Sequence, residues 1–389
     1  MAVAIRRSTN GSTSNGHSTN GAGHDGSRVK VGVIGCGYWG PQLIRNLHDM
    51  PNVELFAVAD TKPERLEFVR RHYPTVKVFS SHTELLNSDV EAVVISTPIH
   101  THHRLSMDAL AAGKHILVEK PLAASVAEAV EVINAARARH RVAMVGHTFL
   151  YNPAVQELRR LVGDGELGRI YYVDAARLNL GLFQRRANVI WDLAPHDISI
   201  LTYVLGTNPI AVSARGSKCV QDDVHDVAYI ELLFETGVSA QVHVSWLDPA
   251  KVRRITIVGD QKMAVYNDVS LAEKIRIYDT GVGTPITNNF GEFQMSYRHG
   301  QVTIPYITWQ EPLRLECEHF VECVRTGADP RTDAMQGLAV VSVLEAASRS
   351  LHHAGERVAV EIPSLVPQAP PQELPRVVSP LRVGLASAS

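Results

Sequence analysis

Cysteine is scarce in this chain and never paired along it. Cys36, Cys219, Cys317 and Cys323 form neither a CxxC nor a set at metal-ligand spacing, which favours free thiols in a reducing compartment. Neither sign of charge dominates: 38 Lys and Arg face 40 Asp and Glu, a formal net charge of −2. That balance gives no electrostatic case for nucleic acid or for an anionic membrane surface. Long apolar runs are missing too, and no stretch approaches the ~20 residues that span a bilayer. The segment Ser8 to Ser27 is almost all Ser, Thr, Asn and Gly, so it has nothing with which to build a core and no apolar region of a secretory signal. Arg6 and Arg7 precede it without an amphipathic helix that would mark a transit peptide. From Pro363 onward prolines 367, 370, 371, 375 and 380 predict an extended tail. No internal repeat is present, and a cytoplasmic location is expected.

What the chain does have is length for two cores, with 389 residues of which 45% are apolar and 20% charged. Its most informative stretch is Val29-Lys-Val-Gly-Val-Ile-Gly-Cys-Gly-Tyr-Trp-Gly40, an apolar strand running straight into Gly35-x-Gly37-x-x-Gly40. In a dinucleotide site the first glycine makes the turn, the second admits the pyrophosphate, and the third lets helix pack on strand. A helical pattern (Leu43, Ile44, Leu47) follows, and a second strand ends at Asp60, twenty residues past Gly40. An acid there accepts hydrogen bonds from the adenosine ribose and repels a 2′-phosphate, which favours NAD over NADP. Lys62 and Arg65 complicate that choice, because either can neutralise Asp60 or meet a phosphate.

From Val29 to about Gly146 short β-branched runs alternate with helical segments, which predicts a parallel sheet covered on both faces. Strands are expected at Val29–Ile34, Val53–Ala59, Val76–Phe79, Ala92–Ser96, His115–Val118 and Ala143–Val145. After Asn152 the pattern changes. A helix at Ala154–Val162, a run Ile170–Asn179 and a helix Val189–Leu205 lead into period-two segments between Ile210 and Tyr278, which predict a mostly antiparallel open sheet. Helices Leu313–Thr326 and Thr332–His353 are expected to close it. The expected organisation is a tail over 1–27, a Rossmann NAD(P)-binding domain over 28–148, a substrate-binding and oligomerisation domain over 149–362, and a tail over 363–389. The fold class is α/β, a Rossmann domain followed by an α+β domain with a mostly antiparallel open sheet.

At this point the residues resemble a known family, the Gfo/Idh/MocA oxidoreductases, over about Val29 to Ala354. The markers are Gly35-Cys-Gly-Tyr-Trp-Gly40, Ser96-Thr-Pro98 with His102, Ala112-Gly-Lys-His115, Glu119-Lys120-Pro121 and Trp191-Asp192-x-x-x-His196-Asp197. Within it the chain looks most like nucleotide-sugar members of the UDP-N-acetylglucosamine and UDP-N-acetylglucosaminuronate 3-dehydrogenase type, on Gly146-His-Thr-Phe-Leu-Tyr-Asn-Pro153 and Asn179-Leu-Gly-Leu-Phe-Gln184. The resemblance implies that Gly35, Gly37, Tyr38, Trp39, Gly40, Asp60, Ser96, Thr97, Pro98, His102, Glu119 and Lys120 line the cofactor. It also implies that Lys120, Asp192 and His196 carry the chemistry.

A physical argument points the same way. Asp192 and His196 are four apart and share a helix face, where a carboxylate can fix the imidazole tautomer. His196 then suits a general base for alcohol oxidation, and Lys120 can polarise the reacting oxygen. The division of labour between Lys120 and His196 stays open, and a plain surface pair is the bland alternative for Asp192 and His196. Ser96-Thr-Pro98 can also simply cap the following helix. His100, His102 and His103 find no further ligand, so no metal is expected; His352 and His353 suit a helix end. For the substrate, Tyr151, Asn152, Asn179, Gln184, Arg185 and Arg186 fall on loops expected to face the cleft, together with Lys120, Asp192 and His196. Tyr151 fits interior packing equally well.

The expected activity is NAD-dependent oxidation of a secondary hydroxyl of a sugar, C3 of a UDP-N-acetylhexosamine or its uronate. The rivals are an inositol, polyol or free-sugar dehydrogenase, a keto-sugar reductase, a redox-neutral enzyme that retains its NAD, and a non-catalytic NAD-binding regulator. The open sheet predicts pairing into a homodimer or homotetramer. The partners expected besides are a small sugar or nucleotide sugar, with neither nucleic acid nor membrane.

Overall fold

The computed structural model describes residues 28–185, 187–283 and 296–365. The tail over 1–27, the C-terminal tail beyond 365 and Arg186 lie outside the described residues. The chain runs β1 (Val29–Ile34), α1 (Gly40–His48), β2 (Val53–Ala59), α2 (Pro63–His72), β3 (Lys77–Phe79), α3 (His82–Leu86), β4 (Ala92–Ile95), α4 (His102–Ala111), β5 (His115–Glu119), α5 (Val126–Ala138) and β6 (Ala143–Gly146). These strands form one sheet, in the order β3-β2-β1-β4-β5-β6, and every pairing in it is parallel. Strand β4 (Ala-Val-Val-Ile) is buried throughout, as a strand with helices on both faces must be. Helix α1 begins with proline in its first turn, where no N–H is missed, and sends Leu43, Ile44 and Leu47 inward. Ser125 caps α5 by accepting the Glu128 N–H at 3.2 Å.

The second part runs α6 (Pro153–Gly163), β7 (Ile170–Leu178), α7 (Val189–Leu205), β8 (Pro209–Ser217), β9 (Val227–Phe234), β10 (Ser239–Ser245), β11 (Val252–Gly259), β12 (Met263–Asn267), β13 (Ile275–Gly283), β14 (Ser296–Thr303), α8 (Pro312–Thr326), α9 (Ala334–His352) and β15 (Val358–Ala359). Nine strands make the sheet, ordered β14-β13-β12-β11-β7-β10-β9-β8-β15. All neighbours are antiparallel except β7 with β10. Alternation along β9 buries Ala228, Ile230, Leu232 and Phe234 against α7, while Tyr229 and its cross-strand partner His243 stack on the outer face, ring centroids 4.2 Å apart.

Helices α8 and α9 do more than close the second sheet. Leu313, Cys317 and Phe320 of α8 join the core that holds Leu43, Ile44 and Leu47 of α1. Helix α9 offers Leu338 and Val341 to the first sheet and Val340, Val343 and Leu344 to the second. Its approach to β6 is close enough to demand glycine: a Cβ at Gly337 would lie 2.7 Å from Val145 Cγ2. Periodicity shows which positions on a helix are apolar; it does not show which sheet they cover. Two further elements carried little signal, the polar edge strand β14 and the five-residue α3 capped by Ser81.

Candidate active site

The carboxyl ends of the parallel strands gather the cleft. At the end of β1, Gly35 has φ +99°, and a Cβ there would stand 2.3 Å from the Ser96 carbonyl oxygen. A Cβ on Gly40 would lie 2.4 Å from Gly35 O, so both positions must be glycine for strand, turn and α1 to approach. Gly37 meets nothing closer than Arg65 Nη1 at 3.5 Å, which leaves its backbone open to a ligand. Beside it Tyr38 is 86% exposed and Trp39 38%. The Asp60 carboxylate, at the end of β2, is pinned: Oδ2 accepts the Cys36 N–H at 2.7 Å and Arg65 Nη1 at 3.2 Å, and Oδ1 accepts the Lys62 N–H at 2.9 Å. A carboxylate has about four lone-pair sites, so capacity for ribose hydroxyls remains. Burial pushes the Cys36 thiol up to about 11, so it is no nucleophile. The bare Gly37 backbone, the start of α1 and the oriented Asp60 together fit a dinucleotide.

His102 is corrected from a cofactor contact to a clasp. It is buried, and its ring nitrogens lie 2.8 Å from the carbonyl oxygens of Pro121 and Thr97. It thereby ties the Ser96-Thr97-Pro98 turn to the turn that carries Lys120. His103 meets Glu131 at 2.8 Å on the surface.

The Lys120–Pro121 peptide is cis. Lys120 Nζ donates to the Asp192 carbonyl at 2.7 Å and stands 3.7 Å from its Oδ1. Asp192 sits in the first turn of α7, which Asn188 caps by accepting the Trp191 N–H at 3.1 Å. Pro195 inside α7 withholds a donor from the turn that carries Trp191 and Asp192, and loosens the helix where Lys120 enters. The second carboxylate oxygen, Oδ2, accepts the Trp246 indole N–H at 2.9 Å. Asp192 therefore orients Lys120, and Trp246 orients Asp192. The expected tautomer lock does not form, because the His196 Nδ1 is buried without a partner among the described residues. The i, i+4 spacing sets the two residues on one face, but Lys120 and Trp246 reach the carboxylate first.

His196 is half-buried and edge-on to Phe149, ring centroids 5.1 Å apart. Phe149 also carries the Arg177 guanidinium at 4.6 Å from its ring centre, with that of Arg253 at 5.9 Å. Arg177 is itself buried and bidentate with Asp197, at 2.6 and 3.1 Å. Burial first, then Lys120, Arg177, His147 and Arg253, hold His196 well below the usual histidine range, so its neutral base form is strongly favoured. His147, just past β6, is buried with neither ring nitrogen partnered among the described residues, and burial with Lys120 pushes it down to about 3.

The expected substrate set divides. Asn179, Gln184 and Arg185 lie on the loop from β7 to α7, which reaches this centre: the Gly181 N–H donates to Trp246 O at 2.9 Å, and Phe183 packs edge-on to Trp246 at 5.8 Å. Gln184 and Arg185 are exposed. Tyr151 and Asn152 are corrected to interior positions. Tyr151 is 2% exposed, its hydroxyl 3.3 Å from that of Thr332. Asn152 is 1% exposed, caps α6 through Ala154 N–H at 2.9 Å and donates to the Tyr266 hydroxyl at 3.0 Å. The sequence reading missed Trp246, Phe149, His147, Arg177 and Arg253. Of these, His147 and Phe149, both inside the Gly146–Pro153 marker, carried a signal, as did Asp197, the partner of Arg177, inside the His196 motif. A cavity of about 760 Å³, lined by Asn52, Tyr151, Gln156, Arg314, His319 and Arg331, lies apart from Lys120, Asp192 and His196.

The chain matches the GFO/IDH/MocA description "Oxidoreductase family, NAD-binding Rossmann fold" over residues 29–147 and the "GFO/IDH/MocA C-terminal domain" over 155–265. It is 31% identical to the UDP-N-acetylglucosamine 3-dehydrogenase of Acidithiobacillus ferrooxidans over 259 residues, 66% of this chain and 79% of that one. A solved structure of the A. ferrooxidans UDP-N-acetylglucosamine 3-dehydrogenase superposes with a TM-score of 0.71 at 26% identity, covering 84% of this chain and 98% of that one. Inositol 2-dehydrogenase of Rhizobium meliloti is 25% identical over 337 residues, 83% of this chain and 97% of that one. A glycine turn shaped for a dinucleotide, a lysine held on the Asp192 main chain beside its carboxylate and these matches lead to one conclusion: the chain belongs to the Gfo/Idh/MocA oxidoreductases, as an NAD-dependent enzyme acting on the CH–OH groups of sugars or polyols.

Proposed function

We propose that this oxidoreductase oxidises a secondary hydroxyl of a nucleotide-linked sugar, C3 of a UDP-N-acetylhexosamine or its uronate, to the ketone. The observation that carries the reading is the Lys120 ammonium held on Asp192, 2.7 Å from its carbonyl, beside a half-buried neutral His196. NAD supplies the hydride acceptor. Lys120 holds the substrate oxygen and favours its developing negative charge. His196, kept unprotonated by its surroundings, takes the hydroxyl proton. Asp192, fixed by Trp246, sets the angle of Lys120. The cofactor lies along Gly35, Gly37, Tyr38, Trp39, Gly40 and Asp60, and its nicotinamide end lies by Ser96, Thr97, Pro98, Glu119 and Lys120. Asn179, Gln184 and Arg185 offer donors and acceptors to the sugar, and Arg185 and the 36%-exposed Arg253 suit a diphosphate or a uronate carboxylate. Similarity to the A. ferrooxidans enzyme supports the nucleotide sugar.

The outer face of the nine-stranded sheet, which exposes Tyr172 and Tyr229, supports pairing into a homodimer or homotetramer. The domains are taken as 28–148 and 149–362, with α8 and α9 shared between their cores. The test is NADH formation, followed by its near-ultraviolet absorbance, with UDP-hexosamines, their uronates and free inositols. Turnover confined to UDP-sugars is the expected result. Turnover with a free inositol alone moves the substrate to the polyols, and bound NAD without net NADH indicates a redox-neutral cycle.

A further inference from the structure

Glu316, on α8, is remote in sequence from every residue discussed in the cleft, yet its side chain is fully buried. Its Oε2 accepts the Thr148 hydroxyl at 2.9 Å, and its Oε1 has no partner among the described residues. Thr148 follows His147 directly past β6, and Gly146, the last residue of β6, packs closely on Glu119: a Cβ there would stand 3.2 Å from its carboxyl group. Glu119 is within electrostatic reach of Glu316, and on α8 itself Cys317 is too. Arg314 and Glu311 act on Cys317 from further along. On the far side, Glu119 receives the Lys120 N–H at 3.3 Å and the Trp39 side chain, and feels the Lys120 charge.

A carboxylate with one hydrogen bond, no bonded cation and a second carboxyl group nearby is strongly disfavoured in the interior. As the neutral acid it no longer buries an uncompensated charge, and Oε2 still accepts the Thr148 hydroxyl. Burial and then Glu119 hold Glu316 well above the carboxylate range. Glu119 is raised by burial only to about 7, because Lys120, its own backbone contact and Trp39 favour the anion.

We propose that Glu316 is the proton-holding partner of Glu119: a neutral acid that fixes Thr148 and leaves Glu119 as the one anion of the pair. It is a positioning residue, and no bond to it forms or breaks in turnover. Its link to the cofactor rests on the reading of the Glu119-Lys120 turn as the nicotinamide end, where an anionic Glu119 favours the cationic ring of NAD⁺.

The infrared spectrum of the cofactor-free protein at mildly alkaline pH tests the protonation without NAD. The C=O stretch of an un-ionised carboxylic acid is expected in the parent and lost in Glu316→Gln. NAD⁺ binding, read by quenching of tryptophan fluorescence, tests the positioning. Glu316→Gln keeps an acceptor for Thr148 and is expected within about 2-fold of the parent, with the same pH midpoint near the Glu119 value of about 7. Glu316→Leu strands the Thr148 hydroxyl and is expected to weaken binding about tenfold with an unchanged circular dichroism spectrum. An acid band that survives in Glu316→Gln, or a midpoint that falls in that variant, overturns the proposal. If the leucine variant does not fold, the glutamine variant still decides.

Discussion

Replacing Trp246 by phenylalanine removes one hydrogen bond, the 2.9 Å contact from the indole to Asp192 Oδ2, and keeps most of the buried hydrocarbon. Asp192 then retains only Lys120 at 3.7 Å, and its carboxylate is free to swing away from the ammonium, which keeps its 2.7 Å bond to the Asp192 main-chain carbonyl but loses the charge that sets its angle. A hydrogen bond to a charged group contributes about 1.5–3 kcal/mol, and water reaching the 29%-exposed Asp192 side chain recovers part of it. A loss of about 1–2 kcal/mol of transition-state stabilisation remains, or about a 5- to 30-fold fall in kcat. Affinity for NAD, measured by equilibrium titration, is expected to stay close to the parent, because Trp246 touches the acid and not the glycine turn. A kcat within twofold of the parent would refute the idea that Trp246 orients Asp192. An equal loss of NAD affinity would show that it acts through the cofactor instead.

Other substitutions probe the remaining groups. Lys120→Met is expected to lower kcat by about 10²–10⁴-fold while the melting temperature, read by calorimetry, stays near the parent, since the side chain bonds only Asp192. Burial, Lys120, Arg177, His147 and Arg253 depress His196, so the acid limb of kcat/KM should fall below the ordinary histidine range, and Arg253→Gln should move it to higher pH; a move to lower pH would remove His196 as the base. His147 is neutral in the fold down to about pH 3, whereas the unfolded chain takes up its proton near 6.5. The unfolded state therefore binds more protons across that window and stability falls as pH drops through it, by at most about 1.4 kcal/mol per pH unit. Denaturant melts of His147→Phe should show a shallower loss over the same window.

Local signals were read well where one element decides the outcome. Val189–Leu205 and Val227–Phe234 follow from apolar spacing between an Asn or Asp and a glycine or turn. The glycine turn, Asp60 and Glu119-Lys120-Pro121 were legible because each is a short motif tied to a strand end. What the sequence could not show was contact between distant segments. Trp246 reaches Asp192 across 54 residues and Glu316 reaches Thr148 across 168, and no periodicity encodes such meetings. Tyr151 and Asn152 misled for a related reason. Polar residues before a proline read as an exposed loop, but α8 and β12 cover them. Asp192 and His196 share a face as their spacing requires, yet which partner claims the carboxylate depended on Lys120 and Trp246, just past the ends of β5 and β10.

Oxidation at this centre removes a hydride from one sugar carbon in the proposed reaction. The most direct measurement is mass analysis of the NADH formed from a UDP-N-acetylhexosamine deuterated only at C3. Transfer of one deuterium to the nicotinamide, absent in Lys120→Met, is the predicted result. Unlabelled NADH, or turnover of a free inositol in place of the nucleotide sugar, would contradict the account.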